Sequence, residues 1–159
     1  TLEDSADLIV FAREMEQTKR YFTFEVARFG ADRVEMEMRI DPRVEDMLVP
    51  PFLLQPLVEN AVRHAMPSEG KLTIEVTGEV TGNDVIVRVC DNGVGMTEEA
   101  RCNILHPESS LGLGIAVKNV HDRICGYFGP GTHMEVESEL GKGTCVILVL
   151  KEGALREYQ

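Results

Sequence analysis

The sequence has no C-x-x-C pair and no cysteine–histidine cluster at zinc spacing; Cys90, Cys102, Cys125 and Cys145 are scattered along the chain. That spacing excludes the usual structural zinc sites and suggests no disulfide framework. The four are expected to be reduced, mostly buried thiols in a cytosolic setting. Basic charge is also scarce: 16 Lys and Arg stand against 27 Asp and Glu, a formal net charge of -11. A surface this acidic repels nucleic acid and anionic lipid, so neither is an expected partner, and any phosphate ligand needs a locally favourable site. No apolar run approaches the roughly 20 residues that span a bilayer, and no charged-then-apolar signal segment opens the chain. The common phosphate loops are missing as well. Gly143 is followed by Thr144 and not by lysine, Gly141-Lys142 lacks a glycine five residues before it, and Gly112-x-Gly114 meets Val117 where a dinucleotide fingerprint needs its third glycine.

What is present suits one domain: 159 residues, 43% of them apolar, enough for a proper core. Residues 2–29 carry Leu8, Phe11, Met15, Phe22, Val26 and Phe29 at helical spacing, with Gly30 as a stop. Val34, Met36, Met38 and Ile40 alternate with charged residues as a half-buried strand does. The spacing predicts a helix over 52–65 with Pro51 in its first turn. Strands are expected at 72–76 and 85–89 around a turn at 81–84, then a short polar helix near 97–103. An irregular stretch, 105–110, precedes a helix over 113–127, and two strands close the chain around Gly141-Lys142-Gly143. This order predicts an α+β fold, a two-layer sandwich in which a mixed sheet is covered on one face by helices, after an N-terminal helix.

Three segments break the apolar pattern. Glu59, Asn60, Arg63 and His64 fall within two turns of an otherwise apolar helix; Asp91-Asn92-Gly93-Val94-Gly95-Met96 follows a strand of Val and Ile; Gly112-Leu113-Gly114 opens a helix, and Gly141-Lys142-Gly143-Thr144 sits in a hairpin. Each alone has an ordinary reading, as a solvated helix face, a turn-forming carboxylate or loop glycines.

Together and in this order they resemble the N box and glycine boxes of the histidine-kinase-like ATPases. Tyr21, Arg28-Phe29-Gly30, Pro50-Pro51, the string Leu54-Gln55-Pro56-Leu57-Val58-Glu59-Asn60-Ala61, and Lys118-Asn119-Val120 with Arg123 resemble the LytS and YehU type of sensor histidine kinase. The resemblance implies a Bergerat-type ATP-binding catalytic domain over 31–151, preceded in 1–30 by the end of a dimerisation or linker helix and followed by a tail, 152–159. It implies ATP and Mg²⁺ as cofactors. Asp91 then accepts the exocyclic amine of adenine, a donor that guanine lacks at that position, and Thr144 supports it. Gly93 and Gly95 let the backbone pass beneath the purine, and Met96 lines the base pocket or the core. Asn60 offers an amide oxygen to Mg²⁺, Arg63 meets phosphate oxygens, and His64 helps the site. The amides of Gly112, Leu113 and Gly114 form an anion site at a helix start, with 105–110 as a lid.

Hydrolysing relatives carry a water-activating glutamate four residues before the magnesium asparagine. Here that position is Pro56, so transfer of the γ-phosphoryl to histidine is expected instead, with Glu59 polarising the acceptor imidazole. The acceptor resembles a His followed by Phe, and His64, His106, His121 and His133 all lack that Phe, so the acceptor is expected to lie upstream of this chain. Expected partners are that dimerisation and phosphoacceptor domain, in a homodimer, and a response regulator; the piece is expected to be the cytoplasmic part of a membrane-anchored sensor. A serine kinase of the anti-sigma-factor type and a clamp ATPase both usually keep the glutamate that Pro56 replaces. A degenerate, nucleotide-free module is expected to have lost Asn60, Asp91 or the glycines.

Overall fold

The computed structural model describes residues 8–104 and 113–151. In chain order the elements are β1 (Ile9–Val10), α1 (Phe11–Phe29), β2 (Val34–Ile40), α2 (Pro42–Glu45), β3 (Leu48–Val49), α3 (Gln55–His64), β4 (Leu72–Thr81), β5 (Asp84–Asp91), α4 (Glu98–Asn103), α5 (Leu113–Tyr127), β6 (His133–Glu139) and β7 (Gly143–Leu150). The main sheet runs β2-β4-β5-β7-β6, with β2 parallel to β4 and the other neighbours antiparallel. It is the mixed sheet the alternation predicts. β1 and β3 form a separate two-stranded sheet.

One face of the main sheet is apolar because every second residue points there. Leu72, Ile74 and Val76 of β4, Val85, Val87 and Val89 of β5, and Val146, Leu148 and Leu150 of β7 are buried against Leu57 and Val58 of α3 and Val117, Val120 and Ile124 of α5. Burying each such side chain contributes about 2 kcal/mol, which makes this layer the main source of stability. The opposite face carries ion pairs, Arg39 to Glu75 at 3.0 Å among them. Among the described residues no helix is long and apolar enough to cross a membrane.

Two local expectations change, both at helix starts. The N-terminal helix begins at Phe11, after the strand pair Ile9–Val10, and residues 1–7 lie outside the described ones. Its apolar stripe is used within the domain: Phe11, Met15 and Phe22 are all buried in the common core. The next helix starts at Gln55 rather than 52, because Phe52 has a left-handed backbone, φ 62°, and the carboxylate of Glu14 takes up the amides that follow it. Pro56, not Pro51, therefore occupies the first turn, where its missing N–H costs nothing.

The cysteines also differ from expectation. Cys90 and Cys145 are cross-strand partners of β5 and β7 and form a disulfide, while Cys102 and Cys125 are free and exposed. A sequence separation of 55 hides a pairing that only the strand register creates.

Candidate functional site

A cavity opens between the helical layer and the sheet, at the end of β5. Its walls include Asn60 and His64 from α3, Asp91 and Met96 from β5 and the loop after it, Val117 from α5 and Thr144 from β7. The topology explains the convergence. β5 and β7 are neighbours, with Asp91 directly opposite Thr144, and α3 and α5 pack side by side over them.

Asp91 is held by the backbone. Its Oδ1 accepts the N–H of Gly93 at 2.8 Å and that of Thr144 at 3.3 Å. Burial pushes its carboxyl above the ordinary aspartate value, and these two hydrogen bonds pull the other way without cancelling it. Thr144 thus supports Asp91 through its amide. The hydroxyl instead meets Ser138 Oγ at 2.7 Å. Ser138 donates its own proton to the Gly143 carbonyl and accepts the Met96 N–H, so it ties the loop after β5 to the β6–β7 hairpin. Sequence reading missed Ser138, which follows Met134 and Val136 on the inward face of β6 at the point where the apolar residues of that strand end.

The glycines serve the protein's own packing. A Cβ on Gly93 would lie 2.0 Å from the Ala65 carbonyl oxygen, and one on Gly95, whose φ is 70°, would lie 2.0 Å from the Glu139 carbonyl oxygen. They let the loop wedge between the end of α3 and the hairpin, where Val94 N–H bonds Ala65 and Val94 C=O accepts from Gly141. Asn92 anchors the same loop to β4 by accepting the Thr73 N–H at 2.7 Å. Met96 is half-buried, packs on the core and lines the cavity.

On α3, Asn60 is 8% exposed, faces the cavity, and its amide makes no hydrogen bond among the described residues. His64 lies one turn on. Burial, then the charge of Arg63, lowers its pKa below the ordinary value, so its imidazole is neutral at neutral pH. Glu59 and Arg63 occupy the neighbouring row and are not in the cavity wall; both charges act on Tyr21 of α1, whose hydroxyl donates to Glu25 at 2.8 Å. Gly112 and the expected lid, 105–110, lie outside the described residues. Leu113 and Gly114 begin α5, and Val117, one turn later, reaches the cavity. Among the described residues no three His, Cys, Asp or Glu side chains come together as a metal cage.

Residues 52–154 match the family described as histidine kinase-, DNA gyrase B-, and HSP90-like ATPases. The chain belongs to this ATPase family. It is similar to the sensor protein LytS of Bacillus cereus, 36% identical over 156 residues, which span 96% of this chain and 26% of that protein. The sensor histidine kinase/phosphatase LytS of Staphylococcus aureus is 33% identical over 136 residues, 82% of this chain and 23% of that one. The chain thus spans about a quarter of the length of these relatives. Among solved structures, the nucleotide-free catalytic domain of histidine kinase ThkA shares the fold with a TM-score of 0.69 at 19% identity, covering 91% of this chain and 94% of that one. The cavity of this chain is bordered by Asn60 and His64 of the first motif segment, Asp91, Gly95 and Met96 of the second, and Thr144 of the β6–β7 hairpin.

Proposed function

We propose that the cavity takes the adenine of ATP and that the domain is the catalytic part of a sensor histidine kinase, delivering the γ-phosphoryl to a histidine carried upstream of this chain. The observation that carries the reading is Asp91: a half-buried carboxylate in the cavity wall, held by two backbone amides and free to accept a further donor. The exocyclic amine of adenine is such a donor, and the guanine oxygen at that position would face the carboxylate with like polarity. The apolar walls, Leu57, Ala61, Val89 and Val146, suit the faces of a purine.

Mg²⁺ fits the residues present. The amide oxygen of a largely buried asparagine that lines the cavity and has no hydrogen-bond partner among the described residues suits a hard cation that keeps most of its waters and is otherwise held by phosphate. Asn60 would hold it, and bound there it would neutralise charge on the triphosphate. The amides that open α5, together with the positive end of that helix, would receive phosphate oxygens and so offset the acidic surface. In the transfer, the bond between the γ-phosphorus and the bridging oxygen breaks, a phosphorus–nitrogen bond forms to the imidazole, and ADP leaves. Glu59, at the mouth of α3, would take up the imidazole proton. Arg63 sits beside Glu59 and would meet phosphate only after swinging in from the Tyr21 side.

The dimerisation and phosphoacceptor helices, the membrane anchor that would make this a cytoplasmic domain, and the response regulator belong in this reading to partners or to other parts of a longer protein. α1 would then connect the upstream helix to the catalytic domain. An Asn60→Ala chain should lose the Mg²⁺-dependent part of its ATP affinity, about tenfold, and should fail to phosphorylate a separately supplied histidine domain. An Asn60→Ala protein with undiminished Mg²⁺ dependence would contradict the assignment.

A further inference from the structure

Glu14 is 1% exposed, and no basic side chain pairs with it among the described residues. Its partners are amides. Oε1 accepts the N–H of Leu53 at 2.9 Å, of Leu54 at 3.0 Å and of Gln55 at 3.4 Å, and Oε2 accepts that of Phe52 at 3.2 Å. A carboxylate from α1 thus caps the positive end of α3, the helix that carries Asn60 and His64. On the other side of the same turn, Arg123 of α5 donates from Nη1 to the Phe52 carbonyl at 2.7 Å. Phe52 itself is held at φ 62°, a conformation a bulky residue adopts only when its surroundings impose it, and its ring is 58% exposed, so burial of that ring is not what imposes it.

From this arrangement we propose that Glu14 and Arg123 are positioning residues for the nucleotide site. They fix the 52–55 turn and thereby set where α3 presents Asn60 to the magnesium and phosphate end of the ligand. The inference rests on the proposed function. α3 is a short rigid rod, and Asn60 lies five residues, about 8 Å, beyond the clamped end, so a shift of that end reaches the cavity undamped. The sheet residues Asp91 and Thr144 have no bond to the clamp; they are tied to each other and to the hairpin. The clamp also links the first helix of the domain to both helices that border the cavity, so displacement of α1 would be felt along the α3 wall, at Leu57, Ala61 and Asn60, and not at the sheet residues Asp91 and Thr144.

The test separates the two ends of the ligand. Adenosine and ATP, the latter with and without Mg²⁺, are titrated against the unaltered chain, Glu14→Gln and Arg123→Met. Gln keeps the shape of Glu14 but turns one amide-facing acceptor into a donor and removes the charge. Glu14→Gln should lose the Mg²⁺-dependent gain in ATP affinity by about tenfold and weaken adenosine, which still rests on Asp91, by a smaller factor. Arg123→Met should show the same split to a smaller degree, and it reads the clamp independently if Glu14→Gln does not fold. In the double variant the losses should be less than multiplicative, because both act through one turn. A Glu14→Gln or Arg123→Met protein with a lower melting temperature and an intact Mg²⁺ gain would overturn the positioning role. Absence of adenosine and ATP binding by the unaltered chain would overturn the nucleotide reading and this inference with it.

Discussion

Two amides and a buried wall pull the proton of Asp91 in opposite directions, and burial prevails. Its carboxyl therefore titrates above the ordinary aspartate range. The sign of the consequence differs for binding and for folding. Ligand binding needs the ionised acceptor, so adenine affinity should fall as the pH drops toward that raised value, earlier than for an ordinary aspartate. Folding gains as Asp91 takes up its proton, because the raised folded-state value stabilises the protonated domain and that contribution fades as the pH rises through it. Affinity lost on the acid side is then not unfolding caused by Asp91. Adenosine titrations at falling pH should show a steeper decline in the unaltered chain than in Asp91→Asn, the difference being the contribution of Asp91; identical slopes in both would contradict it. At this scale Asp91 and Asn60 were legible because a polar residue interrupts an apolar strand end or helix face. Ser138 and Glu14 were not. Glu14 falls in the row of Phe11, Met15 and Phe22, and Ser138 is in phase with Met134 and Val136, but a lone polar residue in an apolar row does not reveal the partner it bonds far along the chain.

Element types followed from periodicity, while element ends depended on contacts made far along the chain. β2 and the β4–β5 hairpin stand where alternation and Gly82-Asn83 place them. The start of α3 moved to Gln55 because Glu14, some forty residues away, satisfies the preceding amides. The Cys90–Cys145 bond likewise depends on the β5–β7 register, which is set only when the sheet assembles. It ties the two strands at the position next to Asp91 and Thr144, with the thiol pair on the face away from the helices. A cross-link of sequence separation 55 removes loop-closure entropy from the unfolded chain worth about 4 kcal/mol by the chain-entropy relation, an upper figure. Chemical denaturation should accordingly shift to lower midpoint when dithiothreitol is added. A Cys90→Ala/Cys145→Ala chain should already sit at the lower midpoint and ignore the reductant. An unchanged midpoint on verified reduction would contradict a stabilising bond.

As a whole the molecule is an acidic body, net charge -11, that has to attract a polyanion. In the proposed reading the fold answers locally: Asn60, which has no hydrogen-bond partner among the described residues, a helix start one turn before Val117, and the half-buried carboxylate of Asp91. Layer architecture and strand class were legible in the sequence because a mixed sheet with one apolar face leaves alternation in every strand. The joining of three distant segments into one cavity came from motif order, since no spacing in the chain measures the distance from Asn60 to Asp91. That joining is the central claim, and Asp91 tests it most directly. Equilibrium titration of the unaltered chain and of Asp91→Asn with ATP and with GTP should give a preference for ATP of at least about tenfold that disappears in the variant, through loss of ATP affinity. Equal binding of the two purines by the unaltered chain, or a preference that survives in Asp91→Asn, would contradict it.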